Sequence, residues 1–493
     1  MQPYMRQQSK RKDSDMTTPN IPMTSFTGNG APAHEHSMDH YLEFFSKGGS
    51  IRGKETYYSG LNQGPLELFK QAWYAGNKEL AMKLLFWCRD CRGGAGSRQT
   101  FRDCIKWVAG VDPDWVSANI KLVTEYGRWD DLKSLYGTQC ERDALRLWAN
   151  TLNSDKPEAA LAAKWAGRKD GKLRAYMQLN PKTFRKLVVE KTQWVVEHDM
   201  CSGKWEDINF KHIPSVAGAR YRNAFKKHDE TRYDEWCESL VESGEVNAKA
   251  LFPHDIIRTI YSTNDKDTAF RSLVNALFDN IPDYIEDPTI KIMPVCDFSG
   301  SMHIKVSGDI SAMDVSLALG MYCSDRLGED NPFYRKLIPF SSTSKLESWA
   351  DKDVIDAVYS IPDGYMGSTN LKGALDNLLQ SAVMWNVKKD DMVTHVLILS
   401  DMQWDIGTKN ADEGVVENCM QGWEAAGYDR PTIVYWNLHS YDNQPATKHE
   451  RDVAMVSGFS PSILKTVLSA RDVDPVQIMM EVVSKYTINT PRT

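Results

Sequence analysis

No stretch of this 493-residue chain approaches 18 uninterrupted apolar residues, so no membrane span is indicated. The first 40 residues are polar, rich in Pro, Ser, Thr and Met, and lack the apolar core of a secretory leader. A disordered tail is expected over 1–40, with the basic patch Arg6 to Lys12 and the histidines His34, His36 and His40 solvated. The nine cysteines are odd in number and scattered, which argues against a disulfide framework and for a reducing, cytoplasmic setting. Their one close pair, Cys88 and Cys91, ends a helical run with Leu80, Leu84 and Leu85. With no second pair and no histidine nearby in sequence, it reads as helix-face packing rather than a redox or zinc site. The chain is formally only −7, which disfavours indiscriminate nucleic-acid binding. With 42% hydrophobic residues and 15 tryptophans, there is ample material for a sizeable core.

In the C-terminal part, the apolar run Ile292-Met293-Pro294-Val295-Cys296 leads directly into Asp297-Phe298-Ser299-Gly300-Ser301-Met302. A buried strand would there present one carboxylate and two hydroxyls within five residues, a donor set suited to a hard divalent cation. Serine hydroxyls are neutral, so an ion held mainly by them keeps enough charge to accept an acidic group from a partner. Downstream, Gly367-Ser368-Thr369-Asn370-Leu371 opens a helical pattern and offers the Thr369 hydroxyl. A second apolar run, His395-Val396-Leu397-Ile398-Leu399-Ser400, ends in Asp401. Carboxylates and hydroxyls at the carboxyl ends of parallel strands gather at one edge of a sheet. The ordered set Asp-x-Ser-x-Ser, then Thr, then Asp resembles the metal-ion-dependent adhesion site of von Willebrand factor A domains; helix caps and turn residues are the competing structural reading.

Apolar runs at Ile290–Cys296, Lys336–Phe340, Thr394–Ser400 and Thr432–Leu438 alternate with helical stretches at Asp314–Leu327, Leu371–Val383 and Glu413–Ala426. Strands separated by helices of this length predict a doubly wound, Rossmann-like, mostly parallel sheet covered on both faces. This domain is expected over 288–493.

Between about 65 and 285 the pattern is helical. Leu66, Phe69 and Trp73, then Leu80 and Leu84, follow helical spacing, and Arg92-Gly93-Gly94-Ala95-Gly96 stops a helix. Two stretches echo each other: Gly127-Arg128-Trp129-Asp130-Asp131-Leu132 and Gly203-Lys204-Trp205-Glu206-Asp207-Ile208. A repeated helix–turn–helix unit would explain them, so stacked, HEAT-like helical repeats are expected over 41–287.

Charge gives this half a role. Residues 161–227 hold 15 Lys and Arg against 6 Asp and Glu, a local +9, leaving −16 for the remainder. Candidate phosphate contacts are Lys164, Arg168, Lys169, Lys172, Arg174, Lys182, Arg185, Lys186, Arg220, Arg222, Lys226 and Lys227. Trp165, Tyr176, Phe184, Trp194, Trp205 and Tyr221 are interleaved among them. Such a patch is the physical basis of single-stranded or irregular RNA recognition, although each ring taken singly reads as core.

A helical repeat domain followed by an A domain resembles the Ro ribonucleoprotein architecture, a TROVE module plus a von Willebrand A domain. More closely, the chain resembles the domain of unknown function 2828 family, which has the same layout and includes viral members. The matching stretches are Asp90-Cys91-Arg92-Gly93-Gly94-Ala95-Gly96, Tyr126-Gly127-Arg128-Trp129-Asp130-Asp131-Leu132, Ala162-Ala163-Lys164-Trp165 and Ile213-Pro214-Ser215-Val216-Ala217. They continue with Asp297-Phe298-Ser299-Gly300-Ser301-Met302, Ser400-Asp401-Met402 and Val456-Ser457-Gly458-Phe459-Ser460. In Ro-type proteins the helical repeats close into a ring that holds RNA, and the A domain carries the metal. The resemblance implies an RNA-binding scaffold with Asp297, Ser299, Ser301, Thr369 and Asp401 around Mg²⁺ or Mn²⁺. It further implies that the hydroxyls coordinate directly while the aspartates act through water. Phe298 replaces a smaller residue common in A domains, and Ser400-Asp401-Met402 lacks the glycine that often follows the aspartate.

Three readings remain. The leading one is a non-enzymatic ribonucleoprotein scaffold. The second is a protein–protein adhesion or assembly module, in a viral structural or accessory setting with association to the virion, that captures a partner's acidic residue through the metal. A metal-assisted hydrolase ranks third, because His303 and Asp405 are the only nearby general-base candidates and neither belongs to a catalytic pattern.

Overall fold

The computed structural model describes residues 25–26, 32–33, 37–49, 64–90, 92–192, 196–210, 213, 215–243, 251–263, 267–285, 287–307, 310–340, 344–361, 371–402, 415–439, 453–459, 464 and 475–491. The four apolar runs become β1 (Ile292–Asp297), β2 (Lys336–Phe340), β4 (His395–Ser400) and β5 (Thr432–Asn437) of one sheet, which two strands not expected from the sequence, β3 (Glu347–Ser348) and β6 (Val453–Ser457), extend. Every residue of β1, β4 and β6 is buried, as both faces of a covered parallel sheet require. The spatial order is β6-β5-β4-β1-β2-β3. All neighbouring pairs are parallel except β2 with β3, which is antiparallel. Strand order therefore reverses between β1 and β4, the position at which open α/β sheets form a crevice.

The helical half starts with α1 (His40–Lys47), α2 (Pro65–Tyr74), α3 (Lys78–Arg89), α4 (Arg98–Val111), α5 (Pro113–Ala118), α6 (Leu122–Tyr126) and α7 (Glu141–Leu152). It continues through α8 (Glu158–Ala166), α9 (Gly171–Tyr176), α10 (Pro181–Lys191), α11 (Val196–Ser202), α12 (Ser215–Arg220), α13 (Arg222–Ser243), α14 (Pro253–Tyr261) and α15 (Thr268–Asp279). Within the sheet domain lie α16 (Ala312–Asp325), α17 (Val354–Ser360), α18 (Leu371–Met384), α19 (Val415–Ala425) and α20 (Pro475–Ser484). The molecule is thus mixed α/β, helical before residue 280 and built on a mostly parallel sheet after it.

Two differences from expectation concern the ends of the chain. Within the predicted tail, Ser25–Phe26 pairs antiparallel with Pro32–Ala33, and Asp39 caps α1 through Tyr41 and Leu42 N–H groups. α1 then lies against β6: the Ser457 hydroxyl donates to Phe45 carbonyl (2.7 Å) and accepts from Gly49 N–H (3.0 Å). This packing shields the edge strand β6, whose unpaired backbone groups would otherwise be available to another chain. Further on, the Tyr486 hydroxyl donates to Asp90 (2.9 Å), and Asn119 and Asn489 exchange bonds of 2.9 and 2.8 Å. The last described residues therefore close on the first helices, and one apolar core runs through both halves.

α16 is another place where the halves meet. It packs on β1 and β2 on one side and α14 on the other, so nearly all of its residues are buried. Its polar residues are each satisfied: Ser316 Oγ donates to Leu399 carbonyl (3.1 Å), and Asp314 accepts from the Tyr261 hydroxyl (2.9 Å).

The two Trp echoes adopt the same local form, a helix ended by glycine and followed by a 3₁₀ turn, at Trp129–Leu135 and Trp205–Asp207. Their glycines answer different needs. A Cβ at Gly127 would lie 2.6 Å from an Asp131 carboxylate oxygen, whereas Gly203 has φ +74 and is in the left-handed region. Their acids differ too: Asp131 is fully buried and Asp207 is exposed. Cys88 is buried and donates to Gly48 carbonyl, in keeping with packing, while Cys91 lies outside the described residues.

Candidate metal centre and nucleic-acid interface

β1 and β4 run side by side in register Cys296 with Leu399, so Asp297 and Ser400 end their strands together at the order reversal. Both are fully buried. Ser400 Oγ donates to Asp297 Oδ2 at 2.6 Å, and Asp297 Oδ1 accepts Ser299 N–H at 2.9 Å. The second bond folds the chain back directly after the strand, the turn that an aspartate makes with a backbone two residues on. Gly300–His303 then forms one 3₁₀ turn, anchored by the buried Phe298 and Met302. Phe298 thus points into the core, away from the exposed Ser301.

Ser299 Oγ and Ser301 Oγ stand 3.1 Å apart. Metal–oxygen bonds of about 2.1 Å in octahedral geometry place adjacent ligands about 3 Å apart. The hydroxyl pair therefore has the spacing of two neighbouring Mg²⁺ ligands. Asp297, with both oxygens already accepting hydrogen bonds, fits a role through an intervening water or through orienting the serines. Asp401 follows Ser400 and is fully buried. Among the described residues, no group of three or more His, Cys, Asp or Glu side chains is arranged to hold a metal, so any cation here would rely on hydroxyls.

Of the five predicted ligands, Asp297, Ser299 and Ser301 form one hydrogen-bonded group, and Asp401 is joined to it through the neighbouring Ser400. Thr369 lies outside the described residues, as does Asp405. His303 is exposed on the 3₁₀ turn. After Asp401, Met402 takes φ +65, the left-handed conformation for which glycine is suited. Its N–H donates to Ser400 Oγ (3.0 Å), so the backbone holds the same hydroxyl that braces Asp297.

Two polar residues at this edge were not foreseen. Ser400 closes an apolar run immediately before the aspartate, a signal visible in the sequence. Asn437 ends β5 opposite Ser400; it is 5% exposed, and its Oδ1 has no hydrogen-bond partner among the described residues. Two residues later, burial lowers the His439 pKa to about 4. The unfolded chain, with an ordinary value of 6.5, therefore takes up that proton first as pH falls. The stability involved is present above pH 6.5 and is lost as pH falls towards 4, about 3 kcal/mol at most. Urea denaturation at pH 7 and pH 4.5 should show a smaller acid-induced loss in His439→Gln than in wild type. Equal losses would remove His439 as a cause.

Five of the twelve candidate phosphate contacts are engaged within the protein. Arg222 is buried and paired with Asp267 (2.6 Å), and Lys226 bonds Asp234 and Asp267 (both 3.0 Å). These two join α13 to its neighbours and are withdrawn as phosphate contacts: releasing them would strand Asp267 without its partners. Lys164 pairs with Glu197 (2.8 Å), Lys172 with Glu141 (2.6 Å), and Arg174 donates to Leu179 carbonyl (3.3 Å). Arg168, Lys169, Lys182, Arg185, Lys186, Arg220 and Lys227 are exposed. Three of them, Lys182, Arg185 and Lys186, stand at i, i+3 and i+4 on α10, while Phe184 and Val188 of that helix are buried. The rings serve mainly as structure: Phe184 is fully buried, Trp205 stacks on His228 at 4.3 Å, and Trp165 lies beneath Arg128. Tyr176 is exposed, and Trp194 lies outside the described residues.

Comparison with known proteins gives two family matches. A domain of unknown function, DUF2828, matches residues 149–280, and another, DUF7788, matches residues 291–490. An uncharacterized protein of Acanthamoeba polyphaga mimivirus is 26% identical, over 94% of this chain and 88% of its own length. The DUF2828 resemblance read from the sequence is thereby found over 149–280, while the C-terminal stretches ascribed to it fall within the DUF7788 match; nothing in these matches supports a relationship to the Ro proteins. No described helix is long and apolar enough to cross a membrane.

Proposed function

We propose that this protein, which carries a DUF2828 domain followed by a DUF7788 domain, is a non-enzymatic RNA-binding scaffold. In this reading the sheet domain is von Willebrand A-like and bears a divalent-metal site, and the helical half is a Ro-like repeat array. The observation that carries the RNA part is the outer face of α10. There Lys182, Arg185 and Lys186 are exposed on one side of a helix whose other side is buried, with no ion pair among the described residues. A row of unpaired cations is suited to tracking a phosphate backbone. The test is the triple variant Lys182→Ala/Arg185→Ala/Lys186→Ala. Purified wild type should retain nuclease-sensitive RNA and bind single-stranded RNA with a steep salt dependence. The variant's log–log salt slope should be shallower by about 2. An unchanged slope would remove α10 from the RNA surface.

A metal-dependent adhesion or assembly module is the second reading, favoured by the hydroxyl pair at octahedral spacing. Ser299, Ser301 and Thr369 would hold Mg²⁺ or Mn²⁺, with Asp297 and Asp401 beyond them. The bound ion would supply an open coordination position for a carboxylate of a partner protein. The viral relative is compatible with a virion setting for such a partner.

A further inference from the structure

Three arginines converge on two adjacent carboxylates where α3, α4 and the Trp129–Leu135 turn meet, and a fourth, Arg98, stands beside them. Asp131 accepts Arg89 Nε and Arg102 Nε, each at 2.7 Å, and Arg128 N–H at 2.8 Å. Asp130 accepts Arg128 Nε (2.8 Å) and Nη2 (2.6 Å) and Arg102 Nη2 (2.9 Å). These six bonds use all four carboxylate oxygens. Arg98 stands one turn before Arg102 on the same face of α4, is exposed, and has no carboxylate partner among the described residues. Partial desolvation and the like charges of Arg128, Arg89 and Arg102 lower its pKa.

Three guanidinium groups thus share two carboxylates, and Arg98 at the solvent edge adds a fourth positive charge, an excess of two over the aspartates. The side chains of Arg102 and Arg128 are about a quarter exposed, and none of the six bonds uses the Nη1 of either. Arg128 lies 3.8 Å from the Trp165 ring, which fixes the guanidinium plane. An excess of this kind is costly to maintain unless an anion of matching charge shares the site. Fixed arginine forks match the paired oxygens of a phosphate, and a phosphate dianion carries the missing charge.

We propose that this cluster binds a phosphate group, with Arg98, Arg102 and Arg128 in contact and Arg89, Asp130 and Asp131 holding the forks in place. The site does not depend on RNA binding at α10, because free phosphate, a nucleotide and the 5′ end of a strand all carry this group.

The decisive variant is Arg98→Gln, which breaks no ion pair among the described residues and relieves like-charge repulsion, so the ligand-free variant should melt no lower than wild type. Low-millimolar inorganic phosphate and pyrophosphate, at matched ionic strength, should raise the wild-type melting temperature and fail to raise that of the variant. A 5′-phosphorylated oligoribonucleotide should bind wild type about tenfold tighter than its 5′-hydroxyl counterpart if the group is a strand end. A response to phosphate without that preference would assign the site to free phosphate or a nucleotide. Absence of any wild-type response to all three probes would overturn the proposal, as would a response of equal size in Arg98→Gln. Loss of RNA binding in the α10 variant with the phosphate response intact would separate the two sites.

Discussion

Replacing Asp131 by alanine should cost about 3–5 kcal/mol, because it leaves a buried guanidinium without its counter-charge. Asp131 is fully buried and anchors Arg89, itself 2% exposed, as well as Arg102 and the Arg128 N–H. Without the carboxylate, Arg89 must either stay charged in a low-dielectric site or drag α3 towards solvent. The second echo supplies an internal control: Asp207 occupies the equivalent sequence position and is exposed, so Asp207→Ala should stay within about 0.5 kcal/mol of wild type. Urea denaturation of the two variants decides the matter. Comparable losses would mean that the arginine network is not what makes Asp131 stabilising.

The second large effect is expected at the strand ends. Asp297→Asn keeps the shape of the side chain but removes its negative charge, and it gives one of the two accepting positions to an amide NH₂. If Ser299 and Ser301 hold a cation there, wild type should gain about 2.7 kcal/mol at a free Mg²⁺ concentration one hundred times the dissociation constant. The variant should lose most of that gain while remaining folded in EDTA. Measuring unfolding in EDTA and across a MgCl₂ series for both proteins gives the answer. An identical Mg²⁺-dependent increment in wild type and Asp297→Asn would place the cation elsewhere.

Much of this edge was legible beforehand, because the chemistry is local. Asp297, Ser299 and Ser301 lie within five residues after an apolar run, and a turn closed by Asp297 on Ser299 N–H needs nothing distant. Ser400 was missed as a site residue although it stands beside Asp401; only the pairing of β1 with β4 turns its hydroxyl towards Asp297. Asn437 was invisible for the same reason, since its position opposite Ser400 exists only once β5 joins the sheet.

The basic segment shows the opposite case. Composition correctly identified an excess of cations but said nothing about which had partners. Arg222 and Lys226 are spent on Asp267, some 40 residues away in sequence, whereas Lys182, Arg185 and Lys186 face outward because Phe184 and Val188 set the buried side of α10.

The order of periodicities along the chain settled the class of fold: helical spacing to about residue 280, then long apolar runs alternating with helices. Such patterns depend on side chains a few residues apart, so one sequence carries them. Tertiary structure alone decided the packing of α1 against β6, the closure of Tyr486 on Asp90 and the gathering of three arginines around Asp130 and Asp131. The first two join residues about 400 positions apart. The third depends on the mutual docking of three elements, and a charged side chain carries no local mark of the partner it will find.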